Sequence, residues 1–293
     1  MTHRSDFVIG VDGGGTGCRV VVIGTADRSV VATATGGAAN YTSDPDTTVR
    51  HILDTLSDAA ESAGLDLATL FDMPTHLGLA GIVTPDDAKS LAARLPLTRC
   101  RVSDDQITST IGALGARDGA LIAVGTGSFV AIKRGDTIRT LGGWGLQLGD
   151  QASGAWLGRT ALQRCALVAD GLAPTSPLVA KLLARFGDDA GQMIAFARIA
   201  SPAEYAQLAP LIFDAAYSDD PNACGLAAEG VAYLNLCLGT ADLKGDDVLC
   251  MSGGLGRRYA PWLDARYQSR IAEPEGTALD GAVRLAWQLA ERI

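Results

Sequence analysis

The stretch VIGVDGGGTGCRVVVIG, Val8 to Gly24, decides how the rest of the chain is read. Its first residues are apolar and β-branched, the composition of a largely buried strand. The run then reaches Asp12-Gly13-Gly14-Gly15-Thr16 and resumes at once as Cys18-Arg19-Val20-Val21-Val22-Ile23. Consecutive glycines admit positive φ and close backbone approach, and successive N–H groups in such a turn can converge on an anion. A dinucleotide fingerprint needs a helix after the glycines, its N-terminus facing the pyrophosphate. CRVVVI is a strand pattern instead, so the stretch is a hairpin with a glycine tip. No Gly-x-x-x-x-Gly-Lys-Ser/Thr run occurs anywhere, which argues against a P-loop.

By itself such a hairpin is a tight turn between two ordinary strands. A second copy changes its weight. Leu121-Ile122-Ala123-Val124 leads into Gly125-Thr126-Gly127-Ser128, and Phe129-Val130-Ala131-Ile132 continues as a strand. The chain therefore writes strand, glycine and hydroxyl turn, strand once early in each half, the mark of a duplicated fold rather than a solenoid.

Composition narrows the class. At 293 residues the chain exceeds the usual domain size of about 100–200 residues, so two domains are expected. Hydrophobic residues at 47% supply substantial cores, and 33 acidic against 24 basic residues give a net charge of −9 without a cationic cluster. That disfavours nucleic acid and anionic membrane as partners but leaves room for a nucleotide, whose phosphates are met locally. Cys18, Cys100, Cys165, Cys224, Cys237 and Cys250 form no Cys-x-x-Cys pair and read as reduced thiols of a cytoplasmic protein. The opening MTHRSDFVIG lacks a signal-peptide pattern, and nothing reaches the ~20 apolar residues of a spanning helix. His3, His51 and His76 lie far apart, against a histidine-rich metal site or a Ser-His-Asp triad.

In chain order, Val30–Ala34 reads as a third strand and Gly36–Tyr41 as a loop. Asp46 is expected to cap a helix through Ala60 that ends at Gly64. His76–Gly81 reads as a small-residue strand, and Thr84-Pro85-Asp86-Asp87 as a helix start. Arg101–Ser103 is a strand running into Asp104-Asp105, with a helix over Gln106–Ala116. A short polar break at Arg117-Asp118-Gly119 marks the hinge. The second half repeats the hairpin, adds a strand near Thr137–Thr140, and carries a helical insert from about Gln151 to Leu238, with helices expected over 155–168, 177–186, 203–217 and 224–238. A strand over Asp247–Met251 then meets Ser252-Gly253-Gly254, and the amphipathic segment Ala278–Arg292 closes the chain.

The ordered set DGGGT, DD at a strand end, GTGS and SGG resembles the phosphate and adenosine elements of the sugar kinase/Hsp70/actin superfamily. More narrowly, the chain resembles the BadF/BadG-type ATPase family and, within it, the N-acetylglucosamine kinases. The residues carrying this are Asp12 to Thr16, Ala39-Asn40, Asp105, Gly125 to Ser128, Gly142-Gly143-Trp144-Gly145 and Gly149-Asp150. The chain also looks like the bacterial glucosamine kinases at Asp150 through Gly154 and at Ser201 through Phe213. The resemblance implies an α/β fold of two ribonuclease H-like (actin-like ATPase) domains, each a five-stranded mixed sheet flanked by helices, with a nucleotide cleft between them. The halves are set at residues 1–117 and 118–293. It implies ATP and Mg²⁺ as cofactors, a small-molecule amino sugar as acceptor, domain closure over the sugar, and a homodimer at the family level.

The same resemblance distributes roles. Asp12, Gly13, Gly14, Gly15, Thr16, Gly125, Thr126, Gly127 and Ser128 are expected to grip the phosphates, and Ser252, Gly253 and Gly254 to approach the adenosine. Asp12 is placed to hold Mg²⁺ through water, a cation that favours hard oxygen ligands and retained waters. Asp105 is the expected general base, with Asp104 its rival, and either can alternatively cap the following helix. Asn40, Gly143, Trp144, Gly145 and Asp150, with Asp105, are expected to contact the sugar. Against this, Asn40 can be a left-handed turn residue, Trp144 a core plug, and Ser252-Gly253-Gly254 a strand-end turn. The expected reaction is ATP-dependent phosphorylation of the 6-hydroxyl of N-acetylglucosamine, with glucosamine the close alternative. Gln151 stands where many N-acetylglucosamine kinases have glutamate; a neutral residue removes one carboxylate partner for an ammonium and leans toward the acetamide. Two further classes are an ATPase that activates a redox partner and a non-catalytic sugar sensor.

Overall fold

The structure, a computed structural model, describes residues 6–291. His3 and Arg292 lie outside the described residues. The chain divides into two compact units, one formed by residues up to Ala116 with those from Pro274 onward, the other by Arg117–Glu273.

The first unit opens with β1 (Phe7–Gly14), β2 (Gly17–Gly24) and β3 (Val30–Gly36), an antiparallel meander. Then follow α1 (Pro45–Ala63), α2 (Leu67–Phe71), β4 (Thr75–Leu79), α3 (Pro85–Arg94), β5 (Cys100–Asp104) and α4 (Asp105–Leu114). The strand order is β3-β2-β1-β4-β5, with β4 and β5 parallel to β1. Val8, Ile9, Val11, Val20 and Val22 are buried, because the sheet is covered on both faces and such strands read as continuous apolar runs. Local chemistry sets the helix ends. Thr84 and Asp87 form a reciprocal capping box ahead of α3, and Gly64 ends α1 at φ 65°. Asp44, not Asp46, caps α1: Pro45 occupies the first helical position, where its missing N–H costs nothing, and Asp44 accepts from the Thr47 N–H (2.9 Å).

The second unit repeats the pattern with β6 (Gly119–Val124), β7 (Ser128–Arg134) and β8 (Thr137–Gly142). Its insert comprises α5 (Gly154–Ala169), α6 (Pro177–Arg185), α7 (Ala190–Ile199), α8 (Pro202–Ala206), α9 (Ala209–Ala216) and α10 (Pro221–Gly239). The helix expected over 203–217 is two helices, α8 and α9, since Pro210 lacks the N–H that a continuous helix would donate to Ala206. The unit ends with β9 (Val248–Ser252), the short helices α11 (Gly256–Tyr259) and α12 (Ala265–Gln268), and β10 (Ile271–Ala272). The order β10-β9-β6-β7-β8 matches that of the first sheet.

The final helix α13 (Ala278–Glu291) returns to the first unit. The expected 118–293 half is corrected here: residues from Pro274 belong with the N-terminal sheet. Glycines make the docking possible. A Cβ at Gly281 would lie 1.9 Å from the Thr108 carbonyl oxygen on α4, one at Gly112 would lie 1.8 Å from the Thr277 carbonyl oxygen, and one at Gly10 on β1 would lie 2.7 Å from Val283. Leu279, Val283, Trp287 and Ala290 pack on buried Val8, Val21, Ile23 and Ala286. Among the described residues, no helix is long and apolar enough to cross a membrane.

Candidate active site

In the first unit the candidate residues gather where β1, β4 and β5 end, the carboxyl edge at which open α/β sheets bind ligands. Asp12 on β1 is in register with Gly78 on β4, and Leu79 on β4 with Asp104 on β5. The absent side chain at Gly78 admits α4, since a Cβ there would lie 2.1 Å from Thr108 Oγ1. Asp104 caps α4, its Oδ1 accepting from the Gln106 N–H (3.0 Å). Asp105 is the first helical residue, so the capping alternative falls on its neighbour. Burial pushes the Asp105 carboxyl up to about 8, with Asp104 beside it and the charge of Asp12 adding to the shift. Burial also raises Asp12, opposed by the Arg19 guanidinium 3.5 Å away. Behind the strand end, Ser103 Oγ donates to the Asp104 carbonyl (3.1 Å) and lies 3.0 Å from His76 Nε2.

The β1–β2 turn is anchored from below. The Gly13 carbonyl accepts from the Ala80 N–H and the Gly14 carbonyl from the Ala39 N–H, both at 2.8 Å. That second bond draws the loop carrying Asn40 onto the hairpin. Asn40 is not in the left-handed region; its Oδ1 accepts from the Ser43 N–H (3.2 Å) and fills the space a Cβ at Gly81 would take. Asn40 is therefore not a left-handed residue, although its amide oxygen does bond the turn that follows it.

In the second unit, the β6–β7 turn sits against the start of α5: the Gly125 carbonyl accepts from the Gly154 N–H (2.8 Å) and the Thr126 carbonyl from the Ala155 N–H (3.1 Å). Ser128 is buried, and its hydroxyl donates to the Gln151 carbonyl (2.7 Å). It is thus a tether for the loop before α5, which leaves Thr16 and Thr126 as the exposed hydroxyls of the two turns. Gly142, Gly143 and Gly145 all have positive φ, and Trp144 between them is 73% exposed. Trp144 is not a core plug. Asp150 is buried, accepts from the Gly145 N–H through Oδ1 (3.1 Å), and sits in the left-handed region at φ 59°. Ala152 does likewise at φ 70°; strain of this kind persists only where surrounding structure over-determines it. Burial raises the Asp150 carboxyl. Gly253, at φ 79°, lies so close to Val124 that a Cβ would be 2.2 Å from its carbonyl oxygen.

Four motif glycines have no such internal reason. A Cβ at Gly14, Gly15, Gly125 or Gly254 would meet nothing within 4 Å, and none of the four has left-handed φ. Neither packing nor backbone conformation requires glycine there; a side chain would fill only the space outside the turn. That is the property of a backbone approached by an external group, and it fits phosphate. Among the described residues no cluster of three or more His, Cys, Asp or Glu forms a metal cage. A single partly buried carboxylate such as Asp12 suits a cation that keeps its waters and takes further ligands from phosphate.

Two residues, one in each unit, escape a motif-based reading. Arg19 is one, legible as a lone cation in an apolar strand. Tyr233 on α10 is the other: its Oη lies 2.6 Å from where a Cβ on Gly142 would stand, and it senses the Asp150 charge. Nothing in the helical pattern of α10 marks it.

The sequence profile of the BadF/BadG/BcrA/BcrD ATPase family matches residues 9–283. The glucosamine kinase GspK of Vibrio cholerae is 30% identical over 282 residues, 96% of each chain. A crystal structure described as a "putative N-acetylglucosamine kinase" from Chromobacterium violaceum is 34% identical with a TM-score of 0.85, covering 96% of this chain and 99% of that one. A ROK family glucokinase from Streptomyces griseus, solved with glucose and AMPPNP, shares the fold at 20% identity and a TM-score of 0.57, covering 96% and 99%. With both sheets, their shared strand order and the ordered glycine motifs in place, the chain belongs to the BadF/BadG/BcrA/BcrD ATPase family.

Proposed function

We propose that the protein is an amino-sugar kinase that transfers the γ-phosphoryl group of ATP to the 6-hydroxyl of N-acetylglucosamine. The observation that carries this reading is Asp105: a carboxyl on the first residue of α4, just past the end of β5, relieved of capping by Asp104 and raised to about 8 by burial. A base is most effective when its pKa lies near the working pH. The ionised Asp105 accepts the hydroxyl proton as the sugar oxygen bonds to the γ-phosphorus, and the bond from that phosphorus to the β–γ bridging oxygen breaks, leaving ADP. The open backbone at Gly14, Gly15 and Gly125 and the exposed hydroxyls of Thr16 and Thr126 would take phosphate oxygens, since phosphoryl transfer asks mainly for positioning and charge neutralisation. Asp12 would hold Mg²⁺, which when bound supplies the positive charge that offsets the phosphate oxygens. Ser252, Gly253 and Gly254 would approach the adenosine.

For the acceptor, Asn40, Gly143, Trp144, Gly145 and Asp150 would contact sugar hydroxyls, and a buried polar group such as Asp150 discriminates sharply against a sugar that leaves it unpaired. At the 2-position, Gln151 is neutral, which removes one carboxylate partner for an ammonium and favours an acetamide. Glucosamine is the second reading, supported by the Vibrio cholerae relative. A coupled ADP-release assay with N-acetylglucosamine, glucosamine, glucose and N-acetylmannosamine tests both. The expected result is the highest kcat/KM with N-acetylglucosamine; a higher value with glucosamine reverses the assignment, and ADP release independent of any sugar removes it.

A further inference from the structure

His76 is a buried polar side chain with no part in the roles above. It lies on β4, in register with Gly10 on β1 and Arg101 on β5, and is 5% exposed. A buried imidazole costs stability unless its polar atoms are met, and the second unit shows that the sheet does not need one at this place. Three residues before the last bonded position of the matching strands, Leu79 in β4 and Ser252 in β9, stand His76 and Leu249. Leu249 is wholly buried. An apolar side chain thus fills the place that the imidazole takes in the first unit.

The partner of His76 points toward the candidate base. Ser103 Oγ lies 3.0 Å from His76 Nε2 and donates to the Asp104 carbonyl at 3.1 Å. A hydroxyl has a single proton to donate. With that proton on the Asp104 carbonyl, Nε2 is the donor to Ser103, and the ring is the Nε2–H tautomer. Burial and the Arg101 charge push the imidazole down to about 4, which keeps it neutral at physiological pH with one N–H. The hydrogen bonds therefore run in one direction, from His76 to Ser103 to Asp104. They end on the carbonyl of the residue that caps α4, the group that accepts the first bond of a helix. Asp105 follows directly. Its own carbonyl accepts from Thr108 Oγ1 (3.1 Å), the side chain seated in the gap at Gly78. The two carbonyls that flank the Asp105 side chain are both held.

We propose, on the reading that Asp105 is the base, that His76 and Ser103 are its positioning residues. They form a buried relay that fixes the peptide between Asp104 and Asp105 and so aims the Asp105 carboxyl. Neither side chain touches substrate in this role. The relay acts on the base and not on the 2-position of the sugar, so N-acetylglucosamine and glucosamine should feel its loss alike.

Steady-state kinetics with ATP and each of these sugars, alongside melting curves and Mg·AMPPNP titration, test the relay in Ser103→Ala, Ser103→Thr, His76→Leu, His76→Gln and the double variant of Ser103→Ala with His76→Leu. Ser103→Ala and His76→Leu should each lower kcat about tenfold or more, the scale of a reacting group moved off its productive geometry, with both KM values and AMPPNP affinity within about twofold of wild type. Ser103→Ala removes one oxygen and carries the test if His76→Leu does not fold. Ser103→Thr keeps the hydroxyl and His76→Gln keeps an N–H near the place of Nε2, and each should recover most of the lost turnover. The double variant should be no slower than the poorer single one, because one break already opens the chain. Unchanged kcat in Ser103→Ala would overturn the proposal. So would losses that simply add in the double variant, or equally deep losses in Ser103→Thr and His76→Gln, the pattern of a packing role. A wild type that phosphorylates neither sugar would remove the kinase reading itself, whereas an active wild type matched by Ser103→Ala removes only the relay.

Discussion

The sheets of the two units repeat one strand order and part company at the ends of the matching strands. In the first unit those ends carry Asp12, Asp104 and Asp105, with Arg19 opposite Asp12. In the second, the residue matching Asp12 is the buried Ile122, and the polar groups lie in the turn and the loop before α5: Thr126, Ser128, Asp150 and Gln151. The hairpin turns differ too. β1 and β2 close at Gly14 and Gly17 around two residues, while β6 and β7 close at Val124 and Ser128 around three, braced by the first N–H groups of α5. The same scaffold thus places carboxylates at the strand ends of one unit, whereas in the other the matching strand position is apolar and the polar groups stand in the turn and the loop before α5. A fold of this kind fixes where side chains stand, and the residue chosen at each strand end decides the chemistry.

The sharpest break of this contrast is at Asp105. Asp105→Asn should lower kcat by about 10²–10⁴, the scale of a lost general base, with nucleotide affinity changed only a few-fold. Asp104→Ala should behave as a lost cap, costing about 1 kcal/mol of stability and far less turnover. Initial rates, nucleotide titration and melting curves on both variants measure this, and the reverse pattern would exchange the two roles.

The glycines offer the next test. Gly78→Val should destabilise the fold by about 3 kcal/mol, because Thr108 already occupies the space. Gly14→Val and Gly125→Val should leave the melting temperature nearly unchanged, since no atom lies within 4 Å of the added Cβ, and lose about tenfold or more in Mg·AMPPNP affinity by blocking the backbone. If those two melt as early as Gly78→Val, their glycines serve packing after all.

Asp105 also predicts a pH dependence. Its carboxyl is raised from 3.8 to about 8 in the folded protein, so between those values the native state holds a proton that the unfolded chain has lost. The stability from this group is therefore fully present below the unfolded value and is lost as pH rises toward 8, by about 1.4 kcal/mol per pH unit inside the window. Asp105→Asn should flatten that slope in melting curves taken from pH 4 to 9. A slope that survives the substitution would assign it elsewhere.

The smallest effect is expected at Ser128. Ser128→Ala leaves the part-buried Gln151 carbonyl without this donor, at a cost of about 1 kcal/mol. The sugar KM should rise several-fold with little change in nucleotide affinity, since the loop before α5 carries Asp150. An equal loss in nucleotide affinity would restore Ser128 as a phosphate ligand.

Much of this was legible in the residues. The glycine hairpins, the capping box at Thr84 and Asp87, the end of α1 at Gly64 and the strand running into Asp104-Asp105 depend on neighbours within a few positions, and the chain states them locally. Asp44 in place of Asp46, the break at Pro210 and the tether of Ser128 to Gln151 were missed at increasing range. The first turns on which residue the proline follows, the second on one lost N–H, and the last on a contact across 23 residues.

The sequence by itself determined the class: two strand–glycine–strand hairpins in one chain, an acidic surface suited to a small ligand, and an ordered set of motifs belonging to one family. Tertiary structure alone decided that α13 returns to the first unit, because the fit of Gly281 against Thr108 and of Gly10 against Val283 joins residues far apart in the chain. It also decided that Asp104 and not Asp105 caps α4, since capping acts on positions and not on residue types. It also set Arg19 against Asp12, a pairing fixed by strand register. Local propensity writes the elements; long-range packing and solvent exclusion assign each polar residue its partner.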